Sequence, residues 1–165
     1  MTKRFCFLFL ILFLVFGPHA TLKGQASLPL PRMASLKASE VNIRVGPGRQ
    51  YPIAWTLFCL GLPVKIIAEF DTWRQILDPL GSKGWIHQSM LSGRKTLLVL
   101  KPTFLYSHAS LEAGKVARLD KGVILDIRDI QKTGQSQNWY SVKIKAYKGF
   151  VCAKDCWPST WIPSP

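Results

Sequence analysis

The residues that could do chemistry are few and scattered. The chain has four cysteines (Cys6, Cys59, Cys152, Cys156) and three histidines (His19, His87, His108) in 165 residues. A cysteine nucleophile needs a thiolate, a nearby base and an orienting group. A structural zinc site needs ligands at short, paired spacings. Neither pattern is present: Cys152 and Cys156 are four apart, and no histidine stands at ligand spacing from them. Asp71, Asp78, Asp126 and Asp129 do not form a readable carboxylate pair. There is no phosphate-cradling Gly-x-x-x-x-Gly-Lys loop and no serine elbow. The expectation is a protein with no catalytic residues, no metal and no cofactor.

The elements around these residues start with an export signal. Lys3 and Arg4 precede an uncharged run from Phe5 to Phe16, and Gly17-Pro18 ends it. As a helix this run would be about 18 Å long, short of the ~30 Å bilayer core. A basic start, a short apolar run and a small-residue exit mark a secretory signal over 1–26, with cleavage after Ala26 or, alternatively, Ala20. An uncleaved anchor is the other reading, and only in that case does the chain touch a membrane. The protein is expected to be exported, periplasmic or secreted. Lys3, Arg4 and Lys23 leave with the signal, so the mature chain keeps +10 of the full chain's +13. Such a surplus favours acidic partners. Export makes nucleic acid the least suitable of these, and the expectation is that none is bound. Three cysteines then remain, an odd number that cannot all pair within one chain. Cys59 reads as a small buried hydrophobe.

Residues 27–33, SLPLPRM, read as a short extended linker. Beyond it no helical period persists. Short apolar runs, several alternating with period two, are cut by Gly, Pro, Asp and Ser; examples are 41–45, 64–68, 73–76, 123–127 and 140–144. Many short strands with frequent turns predict an all-β sandwich or barrel. An internal repeat divides them. Ile43, Gly61, Trp73, Gly84-Trp85 and Leu91 match Leu105, Gly122, Trp139, Gly149-Phe150 and Cys156 in order, with Cys152 aligned to His87. The gap from Ile43 to Gly61 is 18 residues and that from Leu105 to Gly122 is 17; Trp73 to Trp85 is 12 and Trp139 to Phe150 is 11. The second copy's extra residues fall in the polar stretch 132–138, where insertion costs little. Each copy has the size of a small closed barrel. The expected layout is one domain over 34–93, a divergent second over 96–157, and a Pro- and Trp-rich tail over 158–165 that packs back on a barrel, the alternatives being docking to a partner or fraying.

The first copy carries Asn42-Ile43-Arg44-Val45-Gly46-Pro47-Gly48, then Tyr51-Pro52-Ile53, Trp73 and Gly84-Trp85-Ile86-His87. This resembles the bacterial SH3-like (SH3b) domain, and in particular the exported tandem SH3-domain proteins of alphaproteobacteria. The resemblance implies two tandem SH3-like β-barrels and a binding rather than a catalytic role. In the second copy Phe104-Leu105-Tyr106-Ser107 replaces the motif and Gly-Pro-Gly is absent. On the residues alone, Arg44 points outward between inward Ile43 and Val45, and Gly46-Pro47-Gly48 makes a turn in which Pro47 fixes φ and the glycines allow positive φ. That turn opens a loop carrying Arg49, Tyr51, Pro52 and Trp55. Trp73 and Trp85 recur as Trp139 and Phe150, so they read first as core, and His87 as a strand-end histidine. The candidate ligand-binding set is Arg44, Arg49, Tyr51, Pro52, Trp55, Trp73, Trp85 and His87. The expected partner is a cell-wall polymer, through peptidoglycan stem peptide or glycan, or an extended peptide. The alternative is an envelope or host protein.

Overall fold

The computed structural model describes residues 28–131 and 138–160. The expected signal over 1–26, most of the 132–138 insertion and the last five residues of the tail lie outside them. Among the described residues all regular structure is strand apart from two short 3₁₀ turns, and no helix is long and apolar enough to cross a membrane.

Two seven-stranded antiparallel sheets follow one another. The first contains β1 (Arg32–Leu36), β2 (Val41–Arg44), β3 (Ile53–Leu57), β4 (Pro63–Phe70), β5 (Trp73–Leu77), β6 (Lys83–His87) and β7 (Leu91–Ser92). The second contains β8 (Thr96–Val99), β9 (Thr103–Tyr106), β10 (Lys115–Leu119), β11 (Ile124–Gln131), β12 (Trp139–Ile144), β13 (Tyr147–Cys152) and β14 (Cys156–Trp157). Their orders are β3-β2-β6-β5-β4-β1-β7 and β10-β9-β13-β12-β11-β8-β14, the same path taken twice. Each sheet surrounds its own aliphatic core: Leu36, Val41, Ile43, Val64, Ile76 and Ile86 in one, Leu97, Val99, Leu105, Leu125, Val142 and Val151 in the other.

The repeat extends to the turns. Gly61 (φ +76°) and Gly122 (φ +90°) occupy the same left-handed position, open to glycine at no steric cost. Their N–H groups donate to Leu36 O and Val99 O at 2.9 and 2.8 Å. Gly84 and Gly149 sit where strands cross closely. A Cβ on Gly84 would lie 2.3 Å from Ile43 Cγ2, and one on Gly149 would lie 2.5 Å from Tyr106 O. These glycines are required for space, not for backbone conformation. A 3₁₀ turn follows β6 (Gln88–Met90) and another follows β13 (Ala153–Asp155).

The stretch expected to be a linker is not one throughout. β1 begins at Arg32 and is buried along its whole length. Arg32 is held in place by Glu69, and Met33 belongs to the core of the second sheet. Leu98 and Ile124 pack in return against the first core, and Thr96 Oγ1 donates to Gly61 O at 2.7 Å. The sheets therefore share a packed boundary. At the far end Pro158 is buried and Tyr140 Oη donates to Ser159 O at 3.1 Å, so the start of the tail lies on the second sheet.

No disulfide joins cysteines among the described residues. Cys59 is half-buried rather than buried, while Cys152 and Cys156 are buried. Burial, with Asp155 and Cys152 nearby, pushes the Cys156 thiol up to about 12.

Candidate functional site

Strands place alternate side chains on opposite faces. On β6, Gly84 and Ile86 point to the core, so Lys83, Trp85 and His87 share the outer face. β5 lies beside it with Trp73 opposite His87 and Gln75 opposite Trp85. β2 lies on the other side with Arg44 opposite Trp85. One outward surface thus holds Arg44, Trp85 and Gln75 in one row and His87 and Trp73 in the next. Trp73 meets His87 edge-on, with ring centroids 5.5 Å apart. All five are half-buried.

The loop after β2 folds over one end of this surface. Arg44 Nη1 donates to Arg49 O at 3.2 Å and to Tyr51 O at 2.7 Å, so the guanidinium clamps the loop backbone. Arg44 makes no ion pair among the described residues, and Lys83 and Arg49 are exposed nearby in the fold. Val45 (60% exposed), Tyr51 (39%) and Ile53 (48%) present apolar surface on the loop and its exit. The alternation that predicts an inward Val45 is broken there by a register shift between Ile43 and Arg44.

The role of the Gly-Pro-Gly segment also differs from expectation. Neither Gly46 nor Gly48 has positive φ. Gly46 is instead a matter of space, since a Cβ there would stand 2.5 Å from the Tyr51 ring. The second copy gives the control. Ser107–Gly114 repeats the hydrogen bonds of Val45–Pro52: Ser107 N to Gly114 O matches Val45 N to Pro52 O, Ser110 N to His108 O matches Gly48 N to Gly46 O, and Ala113 N to Ser110 O matches Tyr51 N to Gly48 O. His108 stands where Gly46 stands, and Ala113 where Tyr51 stands. The small residue and the large one have changed places.

Trp55 is not brought to the outer surface. It pairs with inward Ile43 and packs on the first core, with its Cη2 close to where a Gly84 Cβ would be. Pro52 is exposed on the loop and its carbonyl accepts from Val45 N–H. His87 also acts locally. Its Nδ1 accepts from Ser89 N–H at 3.3 Å and caps the 3₁₀ turn, which leaves the proton of the neutral ring on Nε2. Sequence reading missed Gln75 and Lys83. Counting two residues on from Trp73 and two back from Trp85 would have found both.

In the second sheet the same surface is closed. Tyr106 takes the place of Arg44, Phe150 of Trp85, Trp139 of Trp73 and Cys152 of His87. Tyr106, Trp139 and Cys152 are only 8%, 3% and 1% exposed. They form a small cluster with Ala113, Ala109, Phe104 and Phe150. Tyr106 and Trp139 meet edge-on at 5.6 Å. The surface left open in the first sheet is covered in the second by its own loop. No group of three or more His, Cys, Asp or Glu that could hold a metal ion occurs among the described residues.

Among solved structures, the chain is similar to NlpC2 of Trichomonas vaginalis at 14% identity, with TM-score 0.34, over 79% of this chain and 49% of that one. It is similar to an NlpC/P60 family protein from Bacillus cereus at 13% identity, with TM-score 0.33, over 75% of this chain and 55% of that one. The chain thus spans about half the length of these proteins, and likenesses this distant speak to neither activity nor ligand. No curated protein matches it. Residues 37–93, which hold β2 to β7 and the whole open surface, match the family model of the bacterial SH3 domain.

Proposed function

We propose that the protein is an exported, non-catalytic binding protein. In this reading the open surface of the first sheet grips cell-wall peptidoglycan, by its stem peptide or its glycan, and the second sheet is a scaffold. The observation that carries the reading is the contrast between equivalent surfaces. One keeps Arg44, Trp73, Trp85 and His87 half-exposed beside Tyr51, while the other buries the counterparts of Arg44, Trp73 and His87 and leaves only Phe150 partly open. Half-exposed aromatics forgo stability that burial would supply, so a surface that leaves them open serves a contact. Aromatic walls with a few cations suit an extended, acidic, partly apolar chain. The bacterial SH3 domain at 37–93 and the +10 formal charge left after removal of Lys3, Arg4 and Lys23 agree with such a ligand.

Purified sacculi test the reading. The protein is expected to be retained at low salt and partly released as salt rises, because the cationic contribution is screened within a Debye length of about 10 Å at 0.1 M. Trp85→Ala should weaken retention without unfolding the sheet. No retention at low salt, together with a single protein partner on cross-linking in cells, would replace the cell-wall ligand with an envelope or host protein.

A further inference from the structure

A second concavity lies in the first sheet and shares no residue with the open surface. β7 pairs with β1 only at Ser35 and Leu36, so the other half of β1 borders an opening. The cavity there has a volume of about 340 Å³. Leu28, Met33, Ile66 and Leu91 supply apolar lining, and Arg32, Arg74 and Gln88 supply polar groups.

The polar side carries an excess of positive charge. Glu69 is bound by both Arg32 and Arg74, the latter with Nε at 2.7 Å, and one carboxylate cannot neutralise two guanidinium groups. Arg32 is 8% exposed. A largely desolvated cation is costly unless fully compensated. Arg74 is well engaged: besides Glu69 it donates to Asp71 O, to Trp73 O and to Gln88 Oε1 at 2.6 Å. Arg32 is less so. It donates to Glu69 and to Leu28 O at 3.3 Å, two of the five bonds its N–H groups can make. With its oxygen held by Arg74, Gln88 keeps an amide NH₂ that makes no hydrogen bond among the described residues.

We infer that this cavity binds a small carboxylate with an aliphatic body, of about the size of a dipeptide acid. The carboxylate would take the spare donors of Arg32 and Gln88 and neutralise the excess charge. The aliphatic part would cover Leu28, Met33, Ile66 and Leu91. Volumes of this order suit small ligands, and a few fixed polar groups among apolar walls give them orientation. Guanidinium recognition of a carboxylate depends on charge and planar geometry together.

The experiment is an NMR titration of the protein with N-acetyl-alanyl-leucine and, separately, its C-terminal amide. The acid is expected to bind roughly tenfold more tightly than the amide, with shifts at the Arg32 Nε–H, the Gln88 side-chain amide and the Gly93 backbone amide. Gln88→Ala should weaken the acid about threefold, and Arg32→Gln about tenfold. If Arg32→Gln fails to fold, the acid–amide comparison and Gln88→Ala still decide. Equal binding of acid and amide, no saturation by about 20 mM acid, or shifts centred on Arg44 and Tyr51 would overturn the inference. Sacculus retention by Gln88→Ala is expected to equal that of the unmodified protein, so either reading can fail without the other.

Discussion

The two sheets share one path and one set of turn glycines, yet they treat the same outer surface in opposite ways. In the first, Arg44 holds the loop by its backbone and the aromatics of β5 and β6 stay half-exposed. In the second, Tyr106 replaces the guanidinium, Ala113 replaces the tyrosine, and Trp139 disappears beneath them. The second copy turns this surface into a small core, and the first forgoes that burial. Loop geometry alone therefore does not make the candidate site, since both loops carry the same backbone–backbone hydrogen bonds. Which side chains fill the space between loop and strands decides it.

The largest expected effect sets Trp139 against Trp73. Trp139 is 3% exposed, so Trp139→Ala should cost about 3–5 kcal/mol in chemical denaturation. Trp73 is half-buried, and Trp73→Ala should cost about 1–2 kcal/mol. Equal losses would mean that the two surfaces are packed alike.

A smaller effect should appear at high pH and belong mainly to the second sheet. The first sheet has Leu91 where the second has Cys156. Cys156 titrates at about 12 in the folded protein, against an ordinary thiol value of 9.0. Below pH 9 both states hold the proton and stability is unaffected. Between about 9 and 12 only the unfolded chain loses it, so stability falls with rising pH by about 1.4 kcal/mol per unit. Cys59, raised by partial burial, adds a slope of the same sign. Denaturation midpoints from pH 8 to 11 check this: Cys156→Ala should flatten most of the decline, and an unchanged slope would contradict the assignment.

The smallest effect concerns the exchange of small and large residues in the loops. Gly46→Ala should cost about 1 kcal/mol by pressing on the Tyr51 ring. Adding Tyr51→Ala should remove that penalty, as Ala113 does for His108. An additive double-mutant cycle would show that the ring and the glycine are independent.

Much of the fold was legible because core anchors obey simple periods. Ile43 and Leu105, Gly61 and Gly122, and Gly84 and Gly149 each fill a position where only one kind of residue fits. The start of β1 was not legible, because Pro29 and Pro31 read as linker; Glu69, the partner that lets Arg32 be buried, lies 37 residues away. Nor was the matching loop in the second copy, because Gly46 with Tyr51 and His108 with Ala113 solve one packing problem with dissimilar letters. Trp55 was misplaced for a related reason: its partner Ile43 is inward, a matter of register across the β2–β3 turn. Of the candidate surface, Trp73 and Trp85 stand out from the repeat and Arg44 from the Asn-Ile-Arg motif, while Gln75 and Lys83 carry no such signal. That one surface is open and the other closed depends on contacts between loop and strand that no spacing records.

The most direct measurement is an NMR titration of the protein with soluble muropeptides, read residue by residue. Saturable shifts are expected at Arg44, Arg49, Tyr51, Gln75, Trp85 and His87, with Tyr106, Trp139 and Phe150 unmoved. Shifts centred on the second sheet, or none on either, would contradict a binding surface on the first.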